Sequence, residues 1–332
     1  MNLVDTLRKK IVVLEEGDYI PGLKAVLLHI ETAFRHLSRG QESDDDTAFT
    51  DAIYRTNQAF EGSVKEAYRV LAGQDPAKKR PYDIENYLEQ NNIFRSRVLS
   101  QLTTYRTEWR NPSAHDYKLD FDESEAFLAI VSVSALACLL LDQIAERLAY
   151  ARSQAEAEAQ KVELAASLAQ TMNANLLVRV TDLLTQFCAI HLPSATTSSG
   201  KPTESQVIGA LHGFLASAAP DLIVQTEARL DAEKHFRADL LVARGEERVV
   251  IELKRRLMRQ SFANAVAQVE QYLLVGGIKS GILLFLPNAP GDMERLDSEV
   301  RGIDGRLVIL SPLGSNLSLN RTVSGLQPPA AG

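Results

Sequence analysis

A chain of 332 residues with 45% hydrophobic and 24% charged side chains has the composition of a globular protein and the length of two domains. Its formal charge is −7, and residues 200–332 hold 15 basic and 15 acidic side chains, so the deficit lies wholly in the first 199 residues. A protein-wide positive field that gathers nucleic acid is thereby excluded, and any such binding has to use local clusters such as Lys254, Arg255, Arg256 and Arg259. The opening stretch, MNLVDTLRKKIVVLEE, has a longest apolar run of four residues. No signal peptide is read there, and a cytoplasmic protein without a membrane segment is expected. Leu and Val at helical spacing predict helices over 3–15 and 22–38, punctuated by Pro21-Gly22, with an acidic loop over 41–46. Residues 47–72 predict another, with Ala52, Ile53, Ala59, Phe60, Val64, Ala67, Val70 and Leu71 on its inner face. After a loop over 73–81, one helix is expected over 83–109, ending at Arg110-Asn111-Pro112.

Residues 113–192 contain neither glycine nor proline, which predicts long helices, and Asp122 with Glu125 offers a capping box for the first. The run 126–141 is almost wholly apolar, short for a membrane span and suited to a central bundle helix. Cys138 within it and Cys188 further on lack metal-ligand spacing and read as buried free thiols. Residues 151–169, rich in Ala, Glu and Gln, predict a solvated helical connector. Leu176, Leu177, Val180, Leu183, Leu184, Phe187 and Ile190 then restore an apolar stripe before the linker PSATTSSGKP at 193–202.

The first chemical constellation is Arg110-Asn111-Pro112-Ser113-Ala114-His115, between two long helical patterns. RNA carries its own nucleophile, the 2′-hydroxyl. A histidine near its ordinary pKa can move the protons, and an arginine can hold the phosphate and its developing charge. Asn111 suits phosphate or hydroxyl binding, and a helix starting after the loop would add partial positive charge. The plain alternative is an arginine and a histidine capping a helical corner. The stretch resembles the R-N-x-x-x-H signature of HEPN domains, over roughly residues 1–150. That resemblance implies a helical bundle, in many members a metal-independent ribonuclease and in others a binding or regulatory module. It also implies a homodimer through this domain, since the family's site is typically assembled from two chains, with Arg110 and His115 of both facing one cleft.

Beyond the linker the pattern reads helix (203–217), strand (222–229), strand (235–243), strand (247–254), helix (258–275), strand (280–286), a weaker helix and a strand ending near Leu310. Residues 313–332 read as a poorly ordered tail. The stretch 236–254, FRADLLVARGEERVVIELK, reads as two strands joined at Gly245. Alternate side chains share a face, so Glu252 and Lys254 point the same way about 7 Å apart, and in a hairpin Asp239 reaches the same spot. Two carboxylates and an amine at the rim of a buried sheet are costly to desolvate. A hard cation such as Mg²⁺ or Mn²⁺ on Asp239 and Glu252 would compensate them, with Lys254 beside the water it activates. A surface hairpin with an incidental E-x-K triplet is the plain alternative.

This D…E-x-K arrangement resembles the PD-(D/E)xK nuclease superfamily, of restriction-endonuclease-like fold, over about the last 130 residues, with Ala238 in place of the motif's proline. The resemblance implies catalytic roles for Asp239, Glu252 and Lys254, with Asp239 and Glu252 on the metal. It also implies that Gln268 and Tyr272, four apart on the next helix, form a Q-x-x-x-Y pair near the metal and the nucleic-acid backbone; the alternative is a surface Gln and a half-buried Tyr. Glu204 is a candidate third carboxylate, though a glutamate at a helix start also has a dipole reason to be there, and Glu227 competes for the role. Arg255 and Arg256 are candidate backbone contacts.

The expected fold class is multidomain: an all-α helical bundle (1–150), a helical connector and linker (151–199), a mixed sheet flanked by helices (200–312) and a tail (313–332). The expected function is Mg²⁺-dependent cleavage of nucleic acid, DNA favoured, by the C-terminal domain. The pairing of domain types suggests anti-phage or anti-plasmid defence, with a defence-system partner protein, by association. A ribonuclease toxin acting through Arg110 and His115, and a non-catalytic sensor subunit, are the alternatives.

Overall fold

Residues 3–14, 16–116, 118–169, 171–193, 201–231, 236–255, 259–300 and 302–315 are described by the computed structural model. The chain falls into two units, Met1–Leu148 and Ala149–Gly332. The first is helical: α1 (Leu3–Val12), α2 (Ile20–Ser43), α3 (Thr47–Leu71), α4 (Pro81–Gln90), α5 (Ser96–Tyr105), α6 (Asn111–His115) and the part of α7 (Glu123–Ala159) up to residue 148. Pro21 and Pro81 sit in the first turns of α2 and α4, where a missing N–H costs no hydrogen bond. On α3 the apolar positions turn Ala52, Ile53, Ala59, Phe60, Val64 and Ala67 into the core. The box before α7 forms: the Asp122 N–H donates to Glu125 Oε2 at 2.9 Å and the Glu125 N–H to Asp122 Oδ1 at 2.8 Å. By length and composition α7 could cross a membrane, but half of its apolar window is buried within the fold. Val133, Leu136, Ala137 and Leu140 pack there against Leu7, Leu23, Phe60 and Leu102.

Two expectations for this unit are corrected. The helix expected over 83–109 is two helices. Asn92 takes φ +51° and the chain closes α4 with a Schellman pair of bonds, Asn92 N–H to Glu89 O at 3.1 Å and Ile93 N–H to Leu88 O at 3.0 Å. Nor does the chain leave the helix at Arg110-Asn111-Pro112. Residues Arg106–Arg110 widen into a π turn, closed by Asn111 N–H to Arg106 O. The wider turn carries Pro112 into α6 without a straight-helix clash.

The second unit is built on a six-stranded mixed sheet: β1 (Ile223–Arg229), β2 (Arg237–Arg244), β3 (Glu247–Lys254), β4 (Ser280–Phe285), β5 (Met293–Glu299) and β6 (Arg306–Pro312), in the order β1-β2-β3-β4-β6-β5. Strands β1 to β3 run antiparallel, β3, β4 and β6 are parallel, and β5 returns antiparallel to β6. Helix α11 (Arg259–Gly276) is the crossover from β3 to β4. It covers one face with Phe262, Val266, Val269 and Leu273 against Val250, Leu283 and Ile309. Helices α9 (Leu176–Gln186) and α10 (Glu204–Ala218) cover the other, against Val249, Ile251, Ile282 and Val308. Strands buried on both faces explain the unbroken apolar runs VVI and ILLF.

The stretch read as a solvated helical connector, 151–169, is helical and mostly exposed, but it is tied into the second unit at Ala157 and Leu164. Ala157, Leu164 of α8 (Lys161–Leu168), Leu176 and Val180 belong to the second unit's core. Gly213 of α10 lets that packing close, since a Cβ there would lie 2.2 Å from the Tyr150 carbonyl oxygen. The weaker helix expected after β4 is instead edge strand β5, whose charged side chains alternate at the rim and give no apolar period. Residues 194–200 of the expected linker and 316–332 of the expected tail lie outside the described residues.

Candidate active site

The β2–β3 hairpin turns at Gly245-Glu246, with Gly245 at φ +60° and Arg244 paired with Glu247. That two-residue turn sets the register, and the ladder ends at Leu240↔Ile251. One step beyond stand Asp239 and Glu252. Released from ladder pairing, Asp239 turns its Oδ2 to the Leu253 N–H at 2.7 Å. The neighbouring ladder is interrupted at the same level. β1 pairs with β2 at Thr226↔Leu240 and Ala228↔Ala238, and between them Glu227 takes φ +47°, a strained value for a glutamate. Alternation puts Glu252 and Lys254 on the face that α11 covers, along with Val250.

On that face the Lys254 ammonium donates to Glu252 Oε1 at 2.8 Å and to Gln268 Oε1 at 2.9 Å. The Gln268 amide in turn donates to the Tyr272 hydroxyl at 2.6 Å. Tyr272 is anchored in the core, its ring edge-on to Phe236 at 6.2 Å. The structure therefore brings together Asp239, Glu252, Lys254, Gln268 and Tyr272. Removing the Gln268 amide leaves Lys254 with one anchor and a freer ammonium. Gln268→Ala is expected to lower the rate of any reaction at this site about 5- to 50-fold with little change in Tm, and unchanged single-turnover rates would remove Gln268 from the site.

Glu252 is 4% exposed, and its Oε2 is buried without a hydrogen-bond partner. Burial, then the Glu252 carboxylate, push the Asp239 carboxyl up to about 7, against the pull of the Leu253 N–H; Glu204 adds a smaller push. Burial also raises the Tyr272 phenol, an effect eased by the Gln268 bond and reinforced by Glu252 and Asp239. An orphaned carboxylate oxygen beside a second carboxylate that resists ionisation fits a hard divalent cation with oxygen ligands, Mg²⁺ or Mn²⁺. Among the described residues no three or more His, Cys, Asp or Glu side chains converge as a ligand set. Two protein carboxylates with water or substrate oxygens around them is a common Mg²⁺ arrangement.

The remaining candidates lie further out. Glu204 is exposed at the start of α10, behind a Thr203–Gln206 capping box, close enough for its charge to bear on Asp239 but outside the cluster. Glu227 faces Arg237, with 3.6 Å between their charged atoms. Arg255 is exposed, donates to the Pro202 carbonyl and, with Lys254 and Lys201, lines a cleft of about 480 Å³ at this end of the sheet. Arg256, and the side chain of Arg259, lie outside the described residues.

In the first unit the RNPSAH residues run from the end of the π turn, at Arg110, through α6. Arg110 is half-buried, donates to Asn111 Oδ1 at 3.1 Å and has Glu61 at 3.8 Å. His115 is exposed at the end of α6. Among the described residues no hydrogen bond joins Arg110 to His115. The sequence reading missed the polar core behind them. Tyr105 donates to Thr56 at 2.7 Å and Asn57 at 3.0 Å, Asn57 donates to Ser113 at 2.7 Å, and Ser113 donates to the Trp109 carbonyl at 2.7 Å. Their only trace in the sequence is polar residues on the inward positions of otherwise apolar helices. Comparison of the chain with family models, curated proteins and solved structures finds no match in any of the three.

Proposed function

We propose that the second unit is a metal-dependent nuclease of the PD-(D/E)xK type that hydrolyses phosphodiester bonds, with DNA the favoured substrate. The observation that carries this reading is the buried Glu252 oxygen without a partner, set beside Asp239 and bridged by Lys254 to Gln268. Held on Asp239 and Glu252, Mg²⁺ or Mn²⁺ supplies positive charge at the scissile phosphate and acidity to a water. The chain's own part is to assemble the two carboxylates and to hold the Lys254 ammonium over the same spot. There it orients the attacking water and meets charge developing on the phosphate. Gln268 and Tyr272 fix that ammonium, and Arg255 and Lys201 at the cleft mouth supply local positive charge for a nucleic-acid backbone that the chain's net charge does not attract.

The first unit is proposed as a HEPN-like dimerising module, and the pairing as part of anti-phage or anti-plasmid defence, by association of domain types. Its reading as a scaffold is favoured over a ribonuclease by Arg110, whose guanidinium already faces Asn111 and Glu61. Incubation of the full chain with labelled DNA and RNA, with Mg²⁺, with Mn²⁺ and with EDTA, decides between them. Cleavage of DNA with metal and none with EDTA is expected. RNA cleavage that persists in EDTA and disappears in His115→Ala would replace the proposal with the ribonuclease reading, and no cleavage under any condition would leave a binding subunit.

A further inference from the structure

At the opposite end of the sheet, a cleft of about 650 Å³ lies under the N-terminus of α9, at the starts of β3, β4 and β6. Arg295 and Arg306 line it from the face that α9 covers, since Arg306 alternates with Val308 and Leu310 and Arg295 stands opposite Leu310. Arg248 and Lys279 line it from the strand starts. Three carboxylates share the lining, and two are engaged. Asp297 takes both bonds of Arg295, at 2.7 and 2.8 Å, and Glu247 takes Arg244 at 2.8 Å and the Leu176 N–H of α9 at 3.2 Å. The third, Glu246, is exposed at the hairpin turn. Among the described residues Arg248 and Arg306 have no carboxylate within ion-pair distance, and Lys279 has only a fully exposed Asp304 at 3.8 Å.

Among the described residues, two cations without an ion-pair partner and a third with only an exposed one thus surround a concavity of the size that small ligands occupy. The chain already places one anion there, the Glu247 carboxylate on the first N–H of α9, where the helix end favours negative charge. Among the described residues no aromatic ring lines the cleft, so a base has nothing there to stack on and the recognised group is the phosphate. We propose that this cleft binds a small phosphate-bearing ligand through Arg248, Lys279 and Arg306. From Arg248 to Glu252 the strand spans about 13 Å at roughly 3.3 Å per residue, so the site is separate from the Asp239–Glu252 pair and does not depend on the nuclease reading.

The test is calorimetric titration of the full-length protein in EDTA with pyrophosphate and, separately, with a nucleoside diphosphate. Saturable binding that weakens at least about tenfold in Lys279→Ala/Arg306→Ala, and that persists in Lys254→Ala, is expected. All these residues are wholly or partly exposed. Should the double variant lose its far-UV signature, Arg248→Ala serves in its place and has to weaken binding likewise. No saturable binding of either probe, undiminished binding in the cleft variants, or loss in Lys254→Ala would each overturn the proposal.

Discussion

Lys254→Ala is expected to abolish metal-dependent cleavage, by about 10³-fold or more in single-turnover rate, while leaving the fold and metal binding in place. The ammonium is the one cation in contact with Glu252 among the described residues, and Lys254 lines the cleft together with Arg255 and Lys201. Its loss also frees Glu252 Oε1, so the variant's carboxylate pair carries more unbalanced charge and holds a divalent cation at least as well. Asp239→Asn is expected to lose activity by a different route. It keeps an oxygen for the Leu253 N–H but removes a metal ligand, so its metal-free Tm holds or rises as repulsion with Glu252 disappears. Cleavage rates and metal-induced Tm shifts measured side by side separate the two. Full metal-dependent activity in either variant would sink the assignment of the site.

The second large effect is on pH. Asp239 is raised to about 7 in the folded protein from an ordinary 3.8. Between about pH 4 and 7 the folded chain therefore holds a proton that the unfolded chain has released. The contribution of Asp239 to metal-free stability is fully present below about pH 4 and is lost as pH rises through that window. A divalent cation reverses the balance, because it binds the ionised pair and stabilises the folded state by mass action. The Tm increase produced by millimolar Mg²⁺ is expected to be several-fold larger at pH 8 than at pH 6. At sub-saturating metal, cleavage should fall about tenfold per unit below pH 7. Asp239→Asn should flatten the Tm response. Equal Mg²⁺ shifts at both pH values, or a shift unchanged in Asp239→Asn, would contradict a raised Asp239 that serves as ligand.

The hairpin that holds these carboxylates is legible in the sequence because its signals are local. An apolar alternation, a turn glycine and E-x-K spacing suffice to place Glu252 and Lys254 on one face and Asp239 beside them, and the four-residue interval aligns Gln268 with Tyr272. What stays hidden depends on backbone geometry with no periodic trace. The Asn91-Asn92 stop of α4 needs a left-handed asparagine that an apolar count does not register. The π turn at Arg106–Arg110 makes Pro112, ordinarily a breaker, part of a helix. Strand β5 carries charges where a strand is usually recognised by its apolar side. The reach of Glu204 is set by tertiary packing, which places its charge near Asp239 without bringing it into the cluster.

All five clustered residues come from one hairpin and the helix that follows it, and this has a consequence for fluctuations of the native state. Proteins open in cooperative pieces, and the piece with the least buried apolar contact opens first. Strand β3 is bonded on both sides, to β2 and β4, whereas α11 is attached through side-chain packing on one face. An excursion that lifts α11 would carry Gln268 and Tyr272 away and unmoor Lys254, while Asp239 stayed tied to the Leu253 amide and Glu252 to its strand. Amide-exchange protection in α11 would then report how often the lysine is correctly aimed, independently of whether the carboxylates are loaded.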